Sequence, residues 1–180
     1  MTHLSNIFFK HYPFMKYFSV TDSDLRTIEI GNFNYAWNLL QIVITRNHIK
    51  YVEDSAFQGA ENVELIYLAY NRIESLSNKA FNDLINLKEL NLSNNQIIFL
   101  NEDIFTNLRN LEVLSVGNNA ITLLSGKLFR NNPNLRRAFF NDNNLKEISS
   151  QLFQNLRNIV YVNLLHNKCI SNLTIFLKIQ

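Results

Sequence analysis

Apolar and polar residues alternate over short stretches of this chain, and the same pattern of positions returns every 24 residues. The clearest copy consists of Leu87, Leu90, Leu92, Asn95, Ile97, Leu100, Phe105 and Leu108. At its centre, Leu90 and Leu92 flank the polar Asn91, an alternation that indicates a β-strand with one buried face. Equivalent copies precede and follow it in phase, so the chain is predicted to contain one short strand per repeat.

The repeat length predicts how these strands are connected. A 24-residue unit is long enough to leave a strand, turn and pair with the next strand in parallel, so successive units stack as coils. The predicted strands are centred near residues 18–20, 42–44, 66–68, 90–92, 114–116, 138–140 and 162–164. The rest of each unit has room for a few turns only, which makes the far side wider than the sheet side. We therefore predict an α/β-type solenoid, a curved right-handed coil with a concave parallel sheet of about seven strands and a convex side of turns and short 3-10 segments.

Two residue types recur in strict phase with this pattern. Asparagine occupies one position in six consecutive units, namely Asn47, Asn71, Asn95, Asn119, Asn143 and Asn167. A side-chain amide supplies both a donor and an acceptor to backbone groups buried between coils, so these residues are predicted to form a structural Asn ladder rather than a ligand site. Phenylalanine recurs at Phe33, Phe57, Phe81, Phe105, Phe129 and Phe153. We expect these rings to fill the convex side of the core and to stack edge to face.

The motif LxxLxLxxNxIxxL, followed by Phe five residues later, resembles the 24-residue "typical" leucine-rich repeat of extracellular proteins, including Toll-like receptor ectodomains and many secreted insect proteins. The resemblance covers essentially the whole chain, with a partial repeat over residues 1–14, full repeats over 15–158, and the last repeat with a truncated C-terminal cap over 159–180. It implies a receptor, matrix or immune-recognition protein that is extracellular or secreted. Cys169 is either a small buried side chain or, as the resemblance implies, part of the cap.

Composition and charge narrow the range of functions. The chain contains 29 asparagines but only 4 glycines and 2 prolines, and its net charge of +2 is spread without a dense run of one sign. That distribution argues against nucleic acid as the main partner. A single cysteine excludes an internal disulfide framework and a cysteine-based zinc site. No stretch is apolar for long enough to span a membrane, and the N-terminal residues are not expected to act as a signal peptide.

The arrangement of reactive side chains does not suggest catalysis. The chain has four histidines, which are His3, His11, His48 and His166. They lack a metal-ligand spacing such as HExxH, and no glycine-rich phosphate loop is present. The sequence therefore predicts neither enzyme activity, nor a cofactor, nor a metal site.

The remaining candidate site is the exposed face of the sheet, where side chains that flank the buried strand residues reach solvent. Aromatic residues and arginine are enriched where interfaces are energetically strong, and here they cluster towards both ends of the sheet. The predicted partner-binding residues are Arg46, Tyr67, Tyr70, Glu89, Arg137, Phe139 and Tyr161. The alternative is that large side chains occur there only because strands favour them.

The predicted partner is another protein, or a glycan, bound through the concave face. An intracellular scaffold or regulatory leucine-rich repeat protein is the second hypothesis. Two sequons, Asn91-Leu92-Ser93 and Asn172-Leu173-Thr174, are candidate glycosylation sites. A glycan on Asn91 would lie on the concave face and obstruct it, whereas Asn172 is less constrained.

Overall fold

The computed structural model describes residues 2–5 and 7–168. Within them the chain winds through successive coils, and each coil adds one three-residue strand to a single sheet. In chain order the elements are α1 (Ile7–His11), β1 (Tyr17–Ser19), β2 (Thr27–Ile28), β3 (Gln41–Val43), β4 (Tyr51–Val52), β5 (Leu65–Tyr67), β6 (Ser75–Leu76), β7 (Glu89–Asn91), β8 (Val113–Ser115), β9 (Leu123–Leu124), β10 (Arg137–Phe139), β11 (Glu147–Ile148) and β12 (Tyr161–Asn163).

The main sheet has seven strands in the order β1-β3-β5-β7-β8-β10-β12, and every pairing in it is parallel. Each residue lies opposite its equivalent in the next repeat, so Phe18 faces Ile42 and Ile42 faces Ile66. These central residues are buried, while the residues on either side of them reach the opposite face. The predicted solenoid with one parallel strand per repeat is confirmed, and each strand begins one residue earlier than the predicted triplet.

Two-residue strands lie further along five of the coils, and the sequence pattern did not predict them. Strands β2, β4 and β6 form one small parallel sheet, and β9 pairs with β11 in another. Buried backbone groups in stacked coils need hydrogen-bond partners, and the neighbouring coil is the only surface within reach. Two residues are too few to produce a visible alternation in the sequence, which is why the pattern did not indicate these strands.

The Phe column lies on the side of the core opposite the main sheet, as expected, but its rings do not stack edge to face. Phe33 and Phe57 are 5.3 Å apart with ring planes 27° apart, and Phe57 and Phe81 are 5.9 Å apart at 22°. Phe105 and Phe129 are closer still to parallel, at 9°. The edge-to-face expectation is therefore wrong. Successive coils are near-translations of each other, so each ring repeats the orientation of the one before it.

The first coil extends this core towards the N-terminus. Phe9, in α1, is buried and stacks on Phe33 at 5.4 Å and 27°. Leu4 is also buried, whereas Tyr12, which was expected to lie in the same partial repeat, is exposed. At the other end, Cys169, Asn172 and most of the predicted cap lie outside the described residues.

Candidate binding surface

The Asn ladder binds consecutive coils to each other where the chain leaves the main sheet. The Asn95 amide accepts a hydrogen bond from the Ile73 N–H at 3.0 Å and donates to the Leu68 and Leu92 carbonyls, both at 3.0 Å. The same bonds to the preceding coil are made by Asn47, Asn71, Asn119, Asn143 and Asn167. These amides are occupied by the backbone, so they offer little to a ligand.

A second set of asparagines, which we call the outer Asn column, lies where the chain enters the main sheet. Each of its side chains donates a hydrogen bond of 2.7 to 3.1 Å to a carbonyl in the preceding coil. The members are Asn38, Asn62, Asn86, Asn110, Asn134 and Asn158. The sequence analysis missed this column, although the same 24-residue spacing would have revealed it. The two columns together explain why asparagine is so abundant.

A column of left-handed backbone conformations borders the Asn ladder. The residue immediately before each ladder asparagine, and Asp22 before Ser23 at the equivalent position of the first coil, has a φ between 50° and 57°. The column consists of Asp22, Arg46, Tyr70, Asn94, Asn118, Asp142 and His166. Asn and Asp tolerate this conformation, whereas other side chains strain it by about 1 kcal/mol or more. Arg46 and Tyr70 are therefore the costly occupants, since His, like Asn and Asp, is enriched in this conformation.

Arg46 and Tyr70, two of the predicted binding residues, contact each other from this column. The Arg46 guanidinium carbon lies 5.7 Å from the centre of the Tyr70 ring, within cation–π range. Tyr70 remains 54% exposed. A ring held by a cation and still open to solvent can pack against an apolar group of a partner and donate from its hydroxyl.

Tyr67 and Glu89, two further predicted residues, lie on adjacent strands of the main sheet and also interact. Tyr67 is half-buried on β5 and Glu89 is half-buried on β7. Burial, and then the neighbouring Glu89 carboxylate, raise the pKa of the Tyr67 hydroxyl above its ordinary value of 10.0. The predicted quartet is thus brought together as two pairs, Arg46 with Tyr70 and Tyr67 with Glu89.

Replacing Glu89 by glutamine is expected to lower the pKa of Tyr67 part of the way towards 10.0. The charge is removed, but burial, the larger cause, is retained. Because the raised pKa favours the neutral phenol in the folded state, this contribution to stability is present below pH 10.0 and is lost as the pH rises through the higher folded-state value. Tyrosinate absorbance during a pH titration, compared with Tyr67→Phe to isolate the signal, measures the pKa. If Glu89→Gln and the parent titrate identically, the pairing of Tyr67 with Glu89 is disproved. The control is Glu74→Gln, which removes a carboxylate that is not among the causes of the raised Tyr67 pKa.

The predicted residues at the far end of the sheet also meet. The Phe139 and Tyr161 rings are 5.3 Å apart, and Arg137 lies directly opposite Tyr161 in the register of β10 and β12. Between this group and the one that contains Tyr67 and Tyr70, the exposed face of the sheet carries short polar side chains. There the side-chain Oδ1 of Asn91 accepts hydrogen bonds from the Ser93 N–H at 3.0 Å and the Ser93 hydroxyl at 2.6 Å. Glycosylation of Asn91 stays a prediction.

In residues 2–5 and 7–168, no group of three or more His, Cys, Asp or Glu side chains is placed to hold a metal ion. None of the helices in that part of the chain is long and apolar enough to cross a membrane.

Comparison with known proteins gives one family and several solved structures. A family model described as "Leucine rich repeat" matches residues 37–97, 61–121, 85–137 and 109–169. The TLR13–ssRNA13 complex contains a chain 30% identical over 93% of this one, with a TM-score of 0.88. The Toll–Spatzle complex of Drosophila gives 21% identity over 93% and a TM-score of 0.78, and an internalin (inlF) of Listeria monocytogenes gives 20% over 85% and 0.66.

This chain spans only part of those proteins, covering 24% of the TLR13 chain, 25% of the Toll chain and 42% of the internalin. No curated protein sequence matches it. Because the first of these structures is a complex with single-stranded RNA, the expectation that nucleic acid is not a partner is unsupported.

Proposed function

The chain belongs to the leucine-rich repeat family, and on that premise we propose that it is a non-catalytic module that binds another protein through the exposed face of the main sheet. Its setting is an extracellular receptor, matrix or immune-recognition protein. The solved Toll structure, which shares the fold, is a complex with the protein Spatzle. Repeat solenoids of this kind present a long continuous surface, which suits a macromolecular partner better than a small molecule.

The observation that carries the proposal is the Arg46–Tyr70 pair on left-handed backbone. Asn94 and Asn118 occupy the equivalent position in the next two coils without strain. Retaining Arg and Tyr instead costs stability, and the cost is consistent with a role in binding. Tyr67 and Glu89 lie on the neighbouring strands, so one patch offers aromatic area, hydroxyl donors and both charges, the usual make-up of an interface hot spot.

The test uses the asparagine that the fold itself accepts at this position. Tyr70→Asn is expected to weaken partner binding by about 2 kcal/mol, some thirtyfold in Kd, because an anchoring ring is removed. Thermal unfolding is expected to be unchanged or slightly improved, since Asn relieves the left-handed strain. Partners selected from a displayed library of secreted proteins are titrated with the parent, Tyr70→Asn, Tyr67→Ala and the convex-side control Lys79→Ala.

Equal affinity for the parent and both Tyr variants would exclude this patch as the interface. The comparison is then repeated with Tyr161→Ala, which tests the Arg137–Phe139–Tyr161 group at the other end of the sheet. Loss of binding with Lys79→Ala alone would count against the whole sheet face.

Single-stranded nucleic acid is the second candidate partner, because the TLR13 structure is a complex with ssRNA13. A shallow basic cleft of about 470 Å³ borders the strand exits and includes Arg26, Lys50 and Arg72. The same titration with a short single-stranded RNA separates the two candidates. RNA binding that weakens steeply with salt and is lost in Arg72→Ala favours the RNA candidate. If no RNA binding is measured even at low salt, or if Arg72→Ala binds RNA as the parent does, the protein candidate is favoured.

A further inference from the structure

A shallow cleft of about 400 Å³ lies on the side of the coils where the chain enters the main sheet, away from the exits that carry Arg46 and Tyr70. The outer Asn column lines it through Asn38, Asn62 and Asn86, and Trp37 and Glu64 complete it. None of the predicted partner-binding residues lines this cleft. Its residues were not singled out by the sequence pattern.

The amides in the cleft are held in one orientation by the fold. Asn38, Asn62 and Asn86 donate through Nδ2 to the carbonyls of Pro13, Trp37 and Glu61, at 2.8, 2.7 and 3.0 Å. An amide whose nitrogen bonds to the backbone presents its carbonyl oxygen on the other side. The Asn62 oxygen also accepts from Asn86 Nδ2 at 3.5 Å, so the column offers the amide oxygens of Asn38 and Asn86 as acceptors already oriented for a ligand with hydroxyl groups.

Trp37 supplies the apolar part of the same cleft. Its side chain is 49% exposed, and its ring makes an edge contact with Tyr35 at 5.7 Å. The Asn62 hydrogen bond to the Trp37 carbonyl fixes the backbone from which the ring projects. A positioned, half-exposed indole beside hydrogen-bonding groups matches the two sides of a sugar ring, whose C–H face is apolar and whose edge carries hydroxyls.

The charges around the cleft are close to balance. In its lining the positive charge of Lys16 is matched by the negative charge of Glu64, and Lys88, which pairs with Glu64 at 2.9 Å, adds one positive charge beside it. A site for a phosphate or sulfate would need an excess of cations. The cleft instead suits a neutral ligand that forms many hydrogen bonds.

From these features we infer that this cleft is a second binding site, specific for a neutral oligosaccharide. The sugar ring packs on Trp37, and its hydroxyls donate to the amide oxygens of Asn38 and Asn86. The site is independent of the protein-binding function proposed for the sheet face.

The experiment uses Trp37 as its own reporter, because it is the single tryptophan of the chain. Short linear oligosaccharides of glucose, mannose or N-acetylglucosamine are titrated into the protein while tryptophan fluorescence is followed. At least one is expected to change the emission with a Kd of about 0.1–1 mM, typical of a shallow site with few contacts. Trp37→Ile is expected to weaken that binding at least about tenfold by calorimetry. The fold accepts this change because Ile85 occupies the equivalent position two coils later and is exposed there.

Two controls make the result specific. Arg109→Ala, at the equivalent position one coil beyond Ile85 and outside the cleft, should leave the affinity unchanged, and so should Tyr70→Asn on the sheet face. The inference is overturned if no neutral oligosaccharide alters the tryptophan fluorescence at about 10 mM. It is also overturned if a sulfated oligosaccharide binds more tightly than the neutral ones. The same holds if Arg109→Ala loses as much affinity for the sugar as Trp37→Ile. If Tyr70→Asn no longer binds the protein partner but still binds the sugar with the parent's affinity, the two proposed sites are independent.

Discussion

Replacing Phe57 by alanine is expected to lower the free energy of unfolding by about 3–5 kcal/mol. Phe57 is fully buried, and its ring stacks between Phe33 at 5.3 Å and Phe81 at 5.9 Å. Truncation removes a large apolar side chain and also leaves a cavity that the flanking coils cannot close, because their spacing is set by the two rows of strands. Both neighbouring rings lose a packing surface at once.

Urea unfolding of the parent and the variant, followed by circular dichroism, measures this loss. Phe99→Ala is the matched control, since that ring is 59% exposed and its removal should change stability by no more than about 0.5 kcal/mol. A cost below about 1 kcal/mol for Phe57→Ala would mean that the column does not hold the convex side together.

Replacing Asn95 by alanine is expected to lower the free energy of unfolding by about 1–3 kcal/mol. The change leaves the Ile73 N–H without its acceptor, while the Leu68 and Leu92 carbonyls each lose one amide donor and keep another, from Asn71 and Asn119 respectively. Asn95 is buried, so water cannot replace these bonds without opening the stack. The expected loss of stability therefore includes the desolvation penalty of the Ile73 N–H that is left unpaired, and not only the lost hydrogen bonds.

Asn110→Ala, in the outer Asn column, is the control for this prediction. Asn110 also donates to a carbonyl of the preceding coil, Ile85 at 3.0 Å, but the bond is exposed and water can take its place. We expect a cost under about 1 kcal/mol. If thermal melting shows the two asparagine variants to be equally stable, burial does not distinguish the columns and the structural role assigned to the ladder is incorrect.

The two proposed sites lie at opposite ends of the strands, and the fold explains why they can coexist. Each coil contacts only its neighbours, so a side chain at one end of a strand can change without affecting the other end. A protein partner on Tyr67 and Tyr70 and an oligosaccharide on Trp37 would therefore bind independently. Titrating both ligands together would reveal any coupling between them.

Some features followed from the sequence because they repeat with the coil. The strand positions, the Asn ladder and the buried Phe column each depend on one residue type recurring in phase, and stacking turns such a recurrence into a physical column. Burial of Ile42, Ile66 and Leu90 follows in the same way, since every unit must bury the same face. For these elements, the residue pattern of one repeat already determines which side chains the whole fold buries.

The remaining features depend on contacts between coils, which a single unit does not encode. The Phe rings lie nearly parallel because the coils are near-translations, and the rows β2-β4-β6 and β9-β11 form because backbone groups of adjacent coils meet there and bond to each other. The candidate site is of this kind too. The sequence by itself placed Arg46, Tyr67, Tyr70 and Glu89 on one face, but only the tertiary structure paired Arg46 with Tyr70 and Tyr67 with Glu89. It also brought Trp37 beside the amides of later coils, because these partners are about a repeat apart in the chain and become neighbours only when the coils stack.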